Sequence, residues 1–138
     1  MAVVVWIVEG TWPACVDAAR THASGDIALL HVTDVSGAAH GAFAGLLGRA
    51  DPHRDPGIRL ESMAAAGPLL DAAAQRLDRP CTRLERAGRI EREVIDAAQG
   101  ADLLIVSRDN DHPGPKSLGP ATRFVVDHAP CPVLLVRP

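Results

Sequence analysis

Leu103-Leu104-Ile105-Val106 and Val133-Leu134-Leu135-Val136, the two apolar runs of the tail from Ala101 to Pro138, decide how this chain folds. Each is too short for a buried helix and lacks the polar alternation of a half-wet strand, so each reads as a strand covered on both faces. Between them lie a polar loop, Ser107-Arg108-Asp109-Asn110-Asp111-His112-Pro113-Gly114-Pro115-Lys116-Ser117-Leu118-Gly119-Pro120-Ala121-Thr122, and a helical segment, Arg123-Phe124-Val125-Val126-Asp127-His128. Parallel strands need such a crossover, so the tail is a βαβ unit with a long loop at the carboxyl end of its first strand. Ligands of open parallel sheets bind at that end, which makes this loop the first candidate for function.

The same alternation runs upstream. Val3 to Val8 reads as the first strand, with Thr11 placed to cap the helix that follows, Pro13 suited to its first turn and Gly25 to its end. Val16, Ala19 and Ala23 fall on one side of that helix, and Ile27-Ala28-Leu29-Leu30-His31-Val32 forms a second buried strand. The segment from Thr33 to Arg59 is rich in Gly, Ala, His, Pro and Asp and has no sustained period. It reads as a long flexible connection, with room for a short helical piece around Ala42 to Leu47. Glu61 to Leu77 is helical in pattern, but Gly67-Pro68 interrupts it, so the helix either kinks there or is well formed only from Pro68. Cys81-Thr82-Arg83-Leu84-Glu85 alternates in polarity, as a strand near a sheet edge does. After Gly88, an apolar stripe of Ile90, Val94, Ala97 and Ala98 marks a helix that Gly100 closes. Five strands alternating with four helices over residues 1–138 predict one α/β domain, an open twisted parallel sheet with helices on both faces.

Composition narrows the function. Of the 138 residues, 47 % are hydrophobic and 22 % charged, the balance of a globular protein rather than a disordered or membrane one. A net charge of -3 leaves no electrostatic footprint for nucleic acid, and 3 % aromatic residues leave little to stack bases on. Met1 to Val8 is apolar but has no basic leader and stops at Glu9, so it is expected to be a core strand and not a signal or a membrane span. Cys15, Cys81 and Cys131 are odd in number and far apart, which points away from a disulfide framework and towards a reducing, cytoplasmic location. The six histidines, His22, His31, His40, His53, His112 and His128, include no pair spaced to ligate a metal from one helix face. His31 reads as a satisfied core histidine.

Chemistry in such a sheet collects after the strands: Glu9-Gly10-Thr11, Val32-Thr33-Asp34, and Ser107-Arg108. The last helix would present its N-terminus to the same crevice. There the N–H groups of Ala121 and Thr122 and the Thr122 hydroxyl suit a phosphate, with Arg108 and Lys116 as charged partners. No Gly-x-Ser-x-Gly, no Gly-x-x-x-x-Gly-Lys and no histidine beside a nucleophile motif is present, so a dedicated catalyst is not expected.

Several pieces taken in order resemble the universal stress protein family. They are Val5-Trp6-Ile7-Val8-Glu9-Gly10-Thr11, Leu29-Leu30-His31-Val32, Gly88 ahead of the Ile90 to Ala98 helix, Ala101-Asp102-Leu103-Leu104-Ile105-Val106, Leu118-Gly119, and His128-Ala129-Pro130-Cys131-Pro132-Val133-Leu134-Leu135-Val136. The resemblance covers the chain apart from Ser36 to Arg59, and its closing His-Ala-Pro-Cys-Pro-Val run is the most specific part. It implies a Rossmann-like sheet of the adenine nucleotide alpha hydrolase-like type with strand order 3-2-1-4-5. It also implies a cytoplasmic stress-response role, and homodimers in which the last strands meet, here Val133, Leu134, Leu135 and Val136.

Many members of that family bind ATP, and the resemblance carries their site over by position. Glu9 stands where the family has Asp, Thr11 beyond Gly10 where it has Ser, and Val32 where backbone meets the adenine. Gly119, Pro120, Ala121 and Thr122 form the phosphate end. The family's loop glycines, however, are replaced by Ser107 and Asn110, and its Ser or Thr by Pro120. Glycine lets backbone approach phosphate at positive φ; Asn substitutes in part, whereas Pro120 also removes an N–H. Asp109 and Asp111 add negative charge to a loop that would face a polyanion. The expectation is a degenerate nucleotide pocket for ATP or AMP, with magnesium only alongside ATP. The alternatives are a functional ATP-binding stress protein with slow or no hydrolysis, and a small-ligand or protein-interaction module without nucleotide.

Overall fold

Five parallel strands form one sheet in the order β3-β2-β1-β4-β5. In this computed structural model the backbone is described over residues 1–35 and 54–138, and the side chains over 1–35 and 66–138. The strands are β1 (Ala2–Trp6), β2 (Asp26–Asp34), β3 (Thr82–Gly88), β4 (Leu103–Ser107) and β5 (Val133–Val136). The helices among the described residues are α1 (Trp12–His22), α2 (Arg54–Leu77), α3 (Ile90–Ala97) and α4 (Pro120–His128). β1 is central, with Val3 aligned to Ile27 of β2 on one side and to Leu103 of β4 on the other. The chain winds outward from β1 to β3 and then returns to β4, so the carboxyl ends of β1 and β4 flank the point where winding reverses.

Alternate residues of the strands feed two cores. Val3, Val5, Ile7, Leu29 and Ile105 pack with Val16 and Ala19 of α1 and with Leu70, Ala73 and Leu77 of α2. Val4, Trp6, Leu30, Leu104 and Val106 pack on the other face with Val94 and Ala98, and with Val125 of α4. This double coverage explains why the central strands are almost uninterrupted in apolar residues. Each fully buried Val, Leu or Ile contributes roughly 1.5–3 kcal/mol.

Three local readings change. β2 runs on through Thr33 and Asp34, because β3 itself extends to Gly88 and offers Ala87 and Gly88 as pairing partners. At the other end of the segment read as a connection, α2 begins at Arg54, so the helix claims residues up to Arg59. The rest of that connection, including the Ala42 to Leu47 piece, lies outside the described residues. The Gly67-Pro68 interruption does not end α2, which holds Pro68 in its interior. A proline there costs roughly 3 kcal/mol, and the burial of Ala66, Leu70, Ala73 and Leu77 along one face offsets it.

Arginines tie the layers together. Arg76 forks onto Asp17 of α1, Nε to Oδ1 at 2.9 Å and Nη2 to Oδ2 at 2.8 Å, and this hydrogen-bonded guanidinium holds the Asp17 carboxyl below its ordinary value. Arg79 donates to the Ala23 and Arg20 carbonyls at the end of α1, satisfying acceptors that the helix leaves open. Gly25 turns into β2 at φ +90°, where a Cβ would lie 2.5 Å from the Met1 carbonyl oxygen. Among the described residues no helix is long and apolar enough to cross a membrane.

Candidate functional site

β1 ends in a tight turn. The Val8 carbonyl accepts from both Thr11 N at 3.2 Å and Trp12 N at 3.0 Å, with Gly10 at φ +91° making the reversal. Glu9 and Gly10 are exposed there at the lip of the sheet. Thr11 takes the position before α1, as expected, but its side chain makes no capping bond to the helix. Trp12 packs against the α1–α2 core, and Trp6 is buried on the opposite face. One strand over, Val32 and Thr33 are buried near the end of β2.

His31 differs from its sequence reading. It is half-buried on β2, and its Nδ1 is buried with no hydrogen-bond partner. Burial pushes the imidazole below its ordinary value, while the charges of Glu85 and then Glu9 pull the other way.

The loop after β4 is fastened by its own side chains. Ser107 is buried and donates to the Arg108 carbonyl at 2.7 Å; Arg108 N donates to the Val136 carbonyl at 2.8 Å. Arg108 Nη1 donates to Ser117 Oγ at 2.6 Å, and that buried hydroxyl donates in turn to the Gly114 carbonyl at 2.8 Å. Asp109 N donates to the Ser117 carbonyl at 2.8 Å. Asn110 Nδ2 donates to the Lys116 carbonyl at 3.2 Å, and Asn110 Oδ1 accepts from His112 N at 3.0 Å. A short 3₁₀ turn, Pro115–Ser117, then leads to α4.

At the start of α4 the Asp109 carboxylate sits on the helix end. Oδ2 accepts from Gly119 N–H, and Oδ1 accepts from the Thr122 hydroxyl at 2.9 Å. Pro120 is the first helical residue and brings no N–H, Ala121 is half-buried against the core, and Thr122 is buried. A carboxylate is welcome there because the free N–H groups and the helix dipole favour negative charge. Gly119 lets the carboxylate come close, since a Cβ on it would lie 2.8 Å from Asp109 Oδ2 and push that side chain aside.

The β4 loop thus gathers Ser107, Arg108, Asn110, Gly119, Pro120, Ala121 and Thr122 into one corner, while Glu9, Gly10, Thr11 and Val32 line the ends of β1 and β2 beside it. Two residues escaped the sequence reading in their actual roles: Ser117, the hub of the loop, and Asp109, the partner of the helix end. Capping patterns look for Asp next to a helix start, and Asp109 lies 10 positions before Gly119. Lys116 is exposed, and Arg108 is spent on Ser117. Among the described residues no group of acids, histidines and cysteines could hold a metal ion. A groove between Asp71, Gln75, Arg79 and Arg83 opens at the other end of the sheet, where Arg83 pairs with Asp71 and Arg79 is already bound to carbonyls.

The comparisons agree with the fold. The profile of the Universal stress protein family matches residues 11–137, and the chain belongs to that family. Universal stress protein UspA from Lactobacillus plantarum is similar in structure, with TM-score 0.68, 23 % identity, and coverage of 99 % of this chain and 97 % of that one. A universal stress protein solved in complex with cAMP has TM-score 0.62 at 17 % identity, covering 99 % and 96 %. A family member from Arabidopsis thaliana with AMP bound has TM-score 0.61 at 19 % identity, covering 99 % and 91 %. A comparison with curated proteins gives no match.

Proposed function

We propose that this universal stress protein is a weak binder of adenine nucleotides and acts in a stress response as a cytoplasmic homodimer rather than as an enzyme. The observation that carries the reading is the crevice where winding reverses, with the Glu9-Gly10-Thr11 turn and Val32 on one side and Gly119–Thr122 at the start of α4 on the other. Backbone near Val32 would meet the base, Glu9 and Thr11 the ribose, and the helix start the phosphate end. Two similar structures hold AMP and cAMP, each with a single phosphate. Weakness follows from Ser107 and Asn110, which stand where glycines would let the backbone come close to a phosphate, and from Pro120, which lacks a donor. β5 supports the dimer: among the described residues it is the outer strand, pairs with β4 alone, and leaves Val133, Leu134, Leu135 and Val136 half-exposed.

Mass spectrometry of the supernatant from heat-denatured protein, combined with calorimetric titration of the emptied protein, tests the reading. It expects measurable heat with AMP and little bound nucleotide after purification. A stoichiometric ATP peak would show a fully competent site, and no heat with any adenine compound would leave the interaction module as the remaining reading.

A further inference from the structure

We infer that Asp109 is a specificity-determining residue of this crevice: its carboxylate occupies the Gly119 N–H and the Thr122 hydroxyl, two donors that a phosphate at the helix start would meet, and so selects against ligands that carry polyphosphate. The inference rests on the nucleotide reading for the identity of the ligand, but not for the exclusion of polyphosphate.

The geometry is that of a bound anion supplied by the chain itself. Two oxygens of one carboxylate meet two donors of the first turn of α4, the Gly119 N–H and the Thr122 hydroxyl. Thr122 is buried, so its hydroxyl has no solvent alternative, and Pro120 contributes no N–H that a phosphate might take instead. Asp109 is held in place by its own N–H on the Ser117 carbonyl and by the Arg108–Ser117 and Asn110–Lys116 bonds on either side. Among the described residues Asp109 forms no ion pair, so no basic side chain neutralises the negative charge that a phosphate would meet there. A phosphate must then displace the carboxylate from both donors or bind beside a like charge. At about 4 Å near a protein surface, one such pair weakens binding by tenfold or more. The penalty grows with each phosphate, so the site favours a nucleoside or a monophosphate over ATP.

The full chain and its Asp109→Asn and Asp109→Gly variants are titrated calorimetrically with adenosine, AMP, ATP and tripolyphosphate. Asp109→Asn keeps the side chain's shape without the charge, and thermal melts check that each variant is folded. The natural protein is expected to bind ATP no more tightly than AMP. Both variants are expected to tighten ATP and tripolyphosphate by about tenfold or more, with adenosine changed less than about twofold. Unchanged ATP and tripolyphosphate affinities in the folded variants overturn the inference. Failure of adenosine and AMP to bind any of the three proteins overturns the nucleotide reading instead, and the tripolyphosphate arm still decides the role of Asp109.

Discussion

The Thr122 hydroxyl donates to Asp109 Oδ1 at 2.9 Å across 13 positions of sequence, and this bond closes the β4 loop onto the helix that follows it. The loop is thereby bonded to itself and to the helix start through Arg108, Asp109, Asn110 and Ser117. Thr122→Val preserves the shape and removes the donor, while the Gly119 N–H still holds the carboxylate. Stability in urea should fall by about 0.5–1.5 kcal/mol. An unchanged denaturation midpoint would show that the bond contributes nothing to the fold.

His31 sets a pH dependence of definite sign. Burial lowers its imidazole below the ordinary value of 6.5, so the folded chain resists a proton that the unfolded chain accepts. Its contribution is fully present above pH 6.5 and is lost as the pH falls from there through the folded value. Urea melts at pH 7.5 and 5.5 should show the natural protein losing more stability on acidification than His31→Asn does. Equal losses in the two proteins would show that His31 titrates alike in both states.

Gly25 and Gly114 make a controlled pair. Both have positive φ, +90° and +102°, but a Cβ at Gly25 would lie 2.5 Å from the Met1 carbonyl oxygen, while one at Gly114 meets nothing within 4 Å. Gly114→Ala is expected to cost about 1 kcal/mol, from backbone strain alone. Gly25→Ala should cost about 1–3 kcal/mol and always the larger amount, because its contact is with backbone. Thermal melts of the two variants check the order, and equal shifts would contradict it.

The tail of the sequence was legible for a simple reason. Leu104, Ile105 and Val106 are buried from both sides, so their apolar run carries no ambiguity of face. Thr33, Asp34, Ala87 and Gly88 were not readable as strand, because two polar residues, an alanine and a glycine pair there through backbone bonds that side-chain patterns do not report. Pro68 left two readings open, a kinked helix or one well formed only from Pro68, and the second falls because packing of α2 on the sheet carries the helix through the proline. The position of the candidate site is read from topology, whereas the bonding at the start of α4 is not. Asp109 counted in the sequence only as negative charge near a polyanion; its seat on Gly119 and Thr122 depends on a loop path that no short-range pattern encodes.

The outer strand carries a prediction about assembly. If copies join through β5, sedimentation should give a species of twice the 14.5 kDa chain mass. Leu135→Arg places a charge on the half-exposed strand and should shift that species to a single chain while far-UV circular dichroism is preserved. A natural protein that sediments as a single chain, or a variant that stays paired, would contradict the β5 interface.

The central claim is that an adenine ligand enters at the carboxyl ends of β1 and β4, and amide chemical shifts followed while AMP is added to the full chain test it most directly. Shifts are expected to concentrate at Gly10, Thr11, Val32, Thr33 and Gly119, with the β3 edge and the Arg79–Arg83 groove still. Saturable shifts confined to that groove or to β5, or no shifts up to about 10 mM AMP, a concentration that would detect binding worth less than the roughly 4 kcal/mol of a millimolar complex, would contradict it.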